Sequence, residues 1–401
     1  MQNETEKTTA GTEDTTIGEK AGTTAPEKKK RSLSPLLRTL LFLIVLCLLA
    51  VYMLNVFDMK DDKGAEKVFR TFYLEKNNTL DGIYIGSSSA YRFWIPPYAY
   101  ENSGMAISNL GTGSQPVVLQ KYIISEALKT QSSMKVIVID IRSMLNDDKR
   151  LKEADIRRVT DSFPVMDPWY FPSRNRIRAI NTSLEYFDSQ EAKIEYTKWY
   201  YYFPFLKYHN RWQSDITPKD LTGLKYKNRF KGFVFTSSGS LSVKKLEPPS
   251  YTSEKAGISD PAKKEVLRDL IAYCKRLDQK VVFVSAPYRI SEEEQEQLNT
   301  YSEQITEAGF PVLNFNTPET MELPGLDWQT DFMDPKHVNV YGAMKYTACI
   351  MNYLKEQVEW TDHRGDDTYL SWDKAALRFH KKLERLEALK AEGQLQLNSD
   401  E

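Results

Sequence analysis

Two short motifs in this chain carry the residue types that covalent chemistry requires. The first is Asp81-Gly-Ile-Tyr-Ile-Gly86-Ser87-Ser88-Ser89, a short apolar run ending in a glycine and three serines. The second is Asp334-Pro-Lys-His337-Val-Asn339, which holds the only Asp-x-x-His in the sequence. A hydroxyl at the carboxyl end of a strand, followed by a helix N-terminus, stands where developing negative charge is favoured. A carboxylate three residues before a histidine reaches the ring nitrogen turned away from the substrate, and we expect the two to share one helical turn. Together the motifs supply a nucleophile, a general base and its orienting acid. That is the set needed for acyl transfer through a covalent ester.

Each motif has a plainer reading. Serines at a turn often serve only as helix caps, and Ser87 and Ser89 compete with Ser88 for the role of nucleophile. The pairing gains weight from the scarcity of histidine. The chain has four, and His209, His363 and His380 lack a carboxylate at that spacing. Asp331 is a second acid close enough in sequence to compete with Asp334.

Serine early, with aspartate and histidine together near the end, is the layout of the SGNH (GDSL-like) hydrolases, which this chain resembles over about residues 80–145 and 280–355. In that family the serine after Gly-x is the nucleophile, and the position corresponds to Ser88. The resemblance makes His337 the proton shuttle and Asp334 its partner. A second block, Asn109-Leu-Gly111-Thr-Gly113-Ser-Gln-Pro116, corresponds to the family's oxyanion donor, with the amide of Gly111 or Gly113 in that role. Glycines there let a backbone amide approach a ligand closely. The family's Gly-x-Asn-Asp block is replaced by Ile139-Asp140-Ile-Arg142-Ser, so its usual asparagine donor is absent. Asp140 and Arg142 end a strand at the ligand-binding edge, where they could hold an anionic group of the substrate or form a structural ion pair.

These features look most like a cell-surface branch of the superfamily, similar to the teichoic acid D-alanyl-transfer protein and the alginate acetylation proteins. The resemblance implies an SGNH-type O-acyltransferase or esterase acting on a cell-envelope polysaccharide or teichoic acid, with a membrane-bound O-acyltransferase as partner. A plain anchored ester hydrolase shares the same acyl-enzyme and stays open. So does a non-catalytic scaffold that binds the acyltransferase or the polymer. No cofactor is expected: there is no phosphate-cradling Gly loop with Lys, and no ligand cluster for a metal. A formal net charge of -1 gives no global reason to expect nucleic acid.

Elements able to position these motifs follow from patterning. Residues 1–36 are poor in large apolar side chains and are expected to form a disordered cytoplasmic tail. Residues 37–57 are apolar over a length that spans a bilayer. A cleaved signal peptide is the rival, but the apolar run is long and no small-x-small site follows it. Lys28, Lys29, Lys30 and Arg31 precede the run and Arg38 flanks its apolar stretch from Thr39, so the N-terminus is expected inside and the remaining chain outside the cell membrane.

Residues 65–360 alternate short apolar runs with amphipathic stretches, which predicts an α/β domain. Its strands are expected at Gly82 to Ile85, Ala106 to Leu110, Lys135 to Ile141, Lys280 to Ala286 and Pro311 to Phe315. They would form a five-stranded parallel sheet within a three-layer α/β/α sandwich. Asp260-Pro261 and Ser291-Glu-Glu-Glu294 mark helix starts. About residues 143–258 form an insertion crowded with aromatics, including Trp169-Tyr-Phe, Trp199-Tyr-Tyr-Tyr-Phe203 and Trp212. These could pack the insertion onto the sheet, stack on sugar rings or meet a lipid surface. Residues 366–395 read as an amphipathic helix striped by Leu377, Leu383, Leu386 and Leu389, which docks or pairs with a partner helix. Cys274 and Cys349 fit two buried thiols, with a lone bridge between them as the alternative.

Overall fold

The structure is a computed structural model that describes residues 34–57, 65–160, 163, 173–192, 197–203, 205–213, 216, 218–222, 228–236, 239–249 and 255–394. Most of the expected N-terminal tail, and the Trp169-Tyr-Phe segment, lie outside the described residues. The apolar run folds as a single helix, Pro35–Val56. Over Pro35–Leu54 it is long and apolar enough to cross a membrane. Twenty residues at about 1.5 Å each give about 30 Å, the thickness of a hydrocarbon core.

Five strands form one parallel sheet: β1 Gly82–Ile85, β2 Ile107–Asn109, β3 Val136–Asp140, β4 Lys280–Ser285 and β5 Val312–Asn314. They lie within the ranges expected from the sequence. Their legibility has a simple cause. β1 and β3 are buried along their whole length, so they read as continuous Val/Ile-rich runs rather than as alternating ones.

Helices cover both faces of the sheet. Ile83, Ile85, Ile137, Ile139 and Phe283 point into one cluster, shared with Gln120–Ala127, Pro261–Cys274 and Glu292–Glu307. Tyr84, Val136, Val138, Val282 and Val284 point into the other, shared with Pro96–Ser103, Val340–Gln357 and Leu370–Ala391. The expected caps are present. Asp260 accepts from the amide of Ala262, and Ser291 and Glu294 form a reciprocal capping box.

The strand order is β2-β1-β3-β4-β5, so successive connections leave β1 first to one side and then to the other. Between β1 and β3 the loops diverge and open a crevice at the carboxyl ends of the strands. Ser87, Ser88 and Ser89 follow β1, and Arg142 follows β3, so both border this crevice.

Three regions differ from or refine the sequence reading. In the insertion, Leu151, Ile156, Ile180, Phe187 and Tyr201 make a small core of their own. Farther along, Phe233, Phe235, Leu241 and Leu246 return to the main body. The C-terminal helix, Leu370–Ala391, docks on the domain through Phe379, Leu383 and Leu386, while Leu377 faces solvent. Cys274 and Cys349 are free thiols packed on opposite faces of the sheet, which removes the bridge as an alternative. Burial pushes the Cys274 thiol up to about 12, so it behaves as a small hydrophobe.

Candidate active site

The serine turn is set by close packing between strands. Gly86 has φ +155°, and a Cβ there would lie 2.7 Å from Cβ of Asp140 on the neighbouring strand. Only glycine lets β1 turn this tightly against β3. Immediately after it the three serines separate into different roles. Ser89 is fully buried, donates to Asp140 Oδ1 at 2.7 Å, and lies 3.0 Å from Ser87 Oγ. Ser88 alone points toward the histidine, with its Oγ 2.7 Å from His337 Nε2.

His337 and Asp334 do not share a helical turn. They face each other across a tight antiparallel hairpin, Phe332–Asp334 paired with His337–Val338, with Pro335 and Lys336 at its tip. The physical reason is Pro335, which disfavours helical geometry at Asp334 and suits the second position of a turn. Asp334 Oδ1 accepts the Lys336 amide at 2.7 Å, locking the turn. The carboxylate also receives His337 Nδ1, at 2.8 Å from Oδ2 and 3.0 Å from Oδ1. Asp331 is engaged elsewhere, accepting from Lys345 at 2.7 Å and from the Asp327 amide. Just after the hairpin, Asn339 caps the helix Val340–Gln357 through the amides of Tyr341 and Gly342, which holds the hairpin to the sheet.

This environment sets the protonation states. Burial raises the Asp334 carboxyl, but hydrogen bonds from the His337 ring and from the Lys336 and His337 amides outweigh it and leave the carboxyl below its usual range. His337 is also held below its usual value, first by burial and then by Arg142 and Arg92, against the opposing pull of Asp334. The imidazole is therefore neutral at neutral pH. An ionised carboxylate can only accept, so the ring proton sits on Nδ1 and Nε2 accepts the Ser88 hydroxyl.

Ser88 and His337 border a cleft of about 480 Å³, also lined by Ser114, Arg142, Tyr288 and Lys336. The Arg142 guanidinium lies between the rings of Phe93 and Tyr288, at 5.3 and 5.0 Å from their centroids. Among the described residues no carboxylate oxygen lies within ion-pair distance of it, and its buried Nη1 has no hydrogen-bond partner. The acids that border the cleft are occupied. Asp147 pairs with Arg150, Asp155 with Arg158, and Glu294 belongs to the capping box. The Arg142 guanidinium thus stands beside the serine without a direct ion-pair partner among the described residues, and its charge acts on buried Asp140.

Asp140 takes another place. It is fully buried beneath the cleft, accepting from Ser89 Oγ, the Arg142 amide at 2.9 Å and the Ala286 amide at 3.4 Å. It ties the ends of β1, β3 and β4 together and does not line the cleft. Burial raises its pKa, and the Arg142 charge and these donors oppose the rise. The glycines of the second block also differ from each other. The Gly111 amide is spent on Asn109 Oδ1 at 2.8 Å, whereas the Gly113 amide has no protein acceptor among the described residues. Gly113 precedes Ser114, whose φ of +51° turns the chain at the cleft wall. Tyr288, Ser114 and Lys336 are cleft residues that the sequence did not single out. Tyr288 closely follows β4, and nothing in local patterning distinguishes it from a core tyrosine.

Comparison of the chain with protein-family models, with curated proteins and with solved structures finds no significant match.

Proposed function

We propose that this protein is a membrane-anchored serine O-acyltransferase or esterase of SGNH type that acts on ester-linked acyl groups of a cell-envelope glycan. The observation that carries the reading is the continuous relay from Ser88 Oγ to His337 Nε2 at 2.7 Å and from His337 Nδ1 to Asp334 at 2.8 Å. It stands at the crevice where open parallel sheets bind ligands.

In this reading Ser88 Oγ attacks the acyl carbonyl while His337 Nε2 takes its proton, and Asp334 stabilises the imidazolium that forms. The Gly113 amide and the Arg142 guanidinium meet the charge on the tetrahedral oxygen. One such donor is worth about 3–4 kcal/mol of transition-state stabilisation in a preorganised site. Collapse expels the alcohol, which takes the proton from His337 and leaves an acyl-Ser88 ester. A glycan hydroxyl then attacks that ester, giving transfer, and water in its place gives hydrolysis. The apolar helix and its basic flank support an N-terminus inside the cell and a domain outside. No acyl thioester pool exists there, so a membrane-bound O-acyltransferase that passes acyl groups across the bilayer is the partner this chemistry calls for.

The experiment is labelling of the purified full-length protein by a fluorophosphonate probe, paired with measurement of ester-linked acyl groups on envelope polymer from cells carrying each variant. Ser88→Ala should abolish both, and His337→Ala should reduce labelling to background. Undiminished labelling in Ser88→Ala would refute Ser88 as the nucleophile. Unchanged polymer acylation in both variants would favour the scaffold reading.

A further inference from the structure

The polar end of the apolar helix is gripped by the insertion. Tyr52 Oη donates to the Leu221 carbonyl at 2.9 Å, and Arg211 Nη1 donates to the Val56 carbonyl at 3.4 Å while its Nη2 pairs with Asp220. The ring of Phe57 meets that of Phe205 edge-on at 5.7 Å. Phe205, Arg211 and Leu221 therefore contact the chain at Tyr52, Val56 and Phe57, where the apolar helix ends.

That same stretch carries unusual surface. Beyond the apolar helix, twelve large hydrophobic residues are exposed among the described residues, and six of them, Trp199, Phe203, Phe205, Leu206, Trp212 and Leu221, fall within residues 199–221. All four aromatics among those twelve are in this group, with Trp212 64% and Trp199 55% exposed. Trp199 stacks on Phe203 at 6.3 Å, and Lys198 lies 5.9 Å from the Trp199 ring centre. From beneath, the segment is held rigidly. Arg176 donates to the Tyr201 and Tyr202 carbonyls, Arg157 donates to the Tyr200 carbonyl, and Tyr201 is buried in the insertion's own core.

Tryptophan beside lysine is the composition that partitions into the headgroup region, where the ring is apolar and its N–H stays hydrated. A soluble face would bear a high hydration cost for six such side chains in one stretch. We propose that the face formed by Trp199, Phe203, Phe205, Leu206 and Trp212 lies in the lipid–water interface around the helix exit, as a second, non-spanning membrane contact. The helix Glu153–Thr160 links this face to the cleft. Arg157 holds the aromatic segment, and Asp155, two residues away, borders the cleft. The cleft and the aromatic face thus share one helix. The proposal does not depend on the chemistry assigned to Ser88.

The test uses the full-length protein in nanodiscs of phosphatidylcholine and phosphatidylglycerol, prepared with either ordinary lipid or lipid brominated near the headgroup. Trp199 and Trp212 are two of the chain's seven tryptophans. Bromine should quench part of the wild-type tryptophan emission, and Trp199→Tyr/Trp212→Tyr should lose that quenching. Each single variant should lose part of it. Both sites are exposed, so an unchanged thermal melt certifies the fold of each variant. Equal emission in the two lipids, or quenching that persists in full in the double variant, would overturn the proposal. The first of these results would leave a protein partner as the occupant of the face.

Discussion

Replacing Asp334 by Asn tests the relay with the smallest change of shape. The carboxylate makes four contacts, two with His337 Nδ1 at 2.8 and 3.0 Å, one with the Lys336 amide at 2.7 Å and one with the His337 amide. An asparagine can keep the third through its carbonyl oxygen, so the hairpin turn survives. The amide nitrogen must then face Nδ1, and it can only donate. Nδ1 becomes an acceptor, the ring proton moves to Nε2, and Nε2 can no longer take the proton from Ser88. Loss of the correct tautomer lowers the rate by roughly 10⁴, equivalent to about 5.5 kcal/mol of barrier. The folded state should change little, by about 1 kcal/mol or less, since the pair is partly exposed and the turn bond is retained. The assay is the second-order rate of fluorophosphonate inactivation, or of hydrolysis of an activated acetate ester, with a thermal melt in parallel. A rate within tenfold of wild type at an unchanged melting temperature would refute Asp334 as the residue that fixes the histidine tautomer.

Four further outcomes follow from the geometry of the site. His337 must be neutral to act as base and its pKa is lowered, so activity should hold from neutrality to below the pH at which an ordinary histidine charges, near 6.5, and fall on further acidification. Arg142→Met removes one of the charges that lower this pKa, so the acid limb of the pH–rate profile should move upward while the plateau falls. Gly86→Ala places a Cβ 2.7 Å from Asp140 Cβ and 3.2 Å from Ala90 Cβ, and should cost about 2–3 kcal/mol in chemical denaturation; a stability equal to wild type would contradict the close packing of β1 on β3. Ser89→Ala withdraws one donor from buried Asp140 and should cost about 1.5–3 kcal/mol, whereas Ser87→Ala, whose oxygen contacts only Ser89, should cost less by the same measurement.

Much of the architecture was readable before any coordinates. The central strands β3 and β4 were visible as runs of Val and Ile because a sheet covered on both faces favours apolar residues along the strand, with polar ones such as Asp140 and Ser285 at the carboxyl ends. Asp260-Pro261 and Ser291 with Glu294 marked helix starts because orphan amides need a side-chain acceptor within three residues, a purely local demand. His337 and Asp334 could be singled out from residue type and spacing, since nothing else in a chain with four histidines places a carboxylate three residues before one, whereas Ser88 was favoured over Ser87 and Ser89 only by the family resemblance.

What remained undetermined depends on contacts across the fold. Three consecutive serines are equivalent in sequence, and only Asp140 on β3, reaching Ser89, separates the buried hydroxyl from the one that faces His337. The helical geometry expected for Asp334 and His337 gave way to a hairpin, because Pro335 and the strand partner of Asp334 outweigh a three-residue spacing that fits either form. Asp140 and Arg142, adjacent in the reading of the strand end, part company in space. One carboxylate is needed below to tie three strands, and the guanidinium finds its seat between Phe93 and Tyr288, which come from distant segments. Residue type and local spacing determine which groups can react and which segments can be strands or helices. Which serine faces the histidine, which amide stays unpaired among the described residues and where the guanidinium sits are decided by neighbours far along the chain, and those only the tertiary fold brings together.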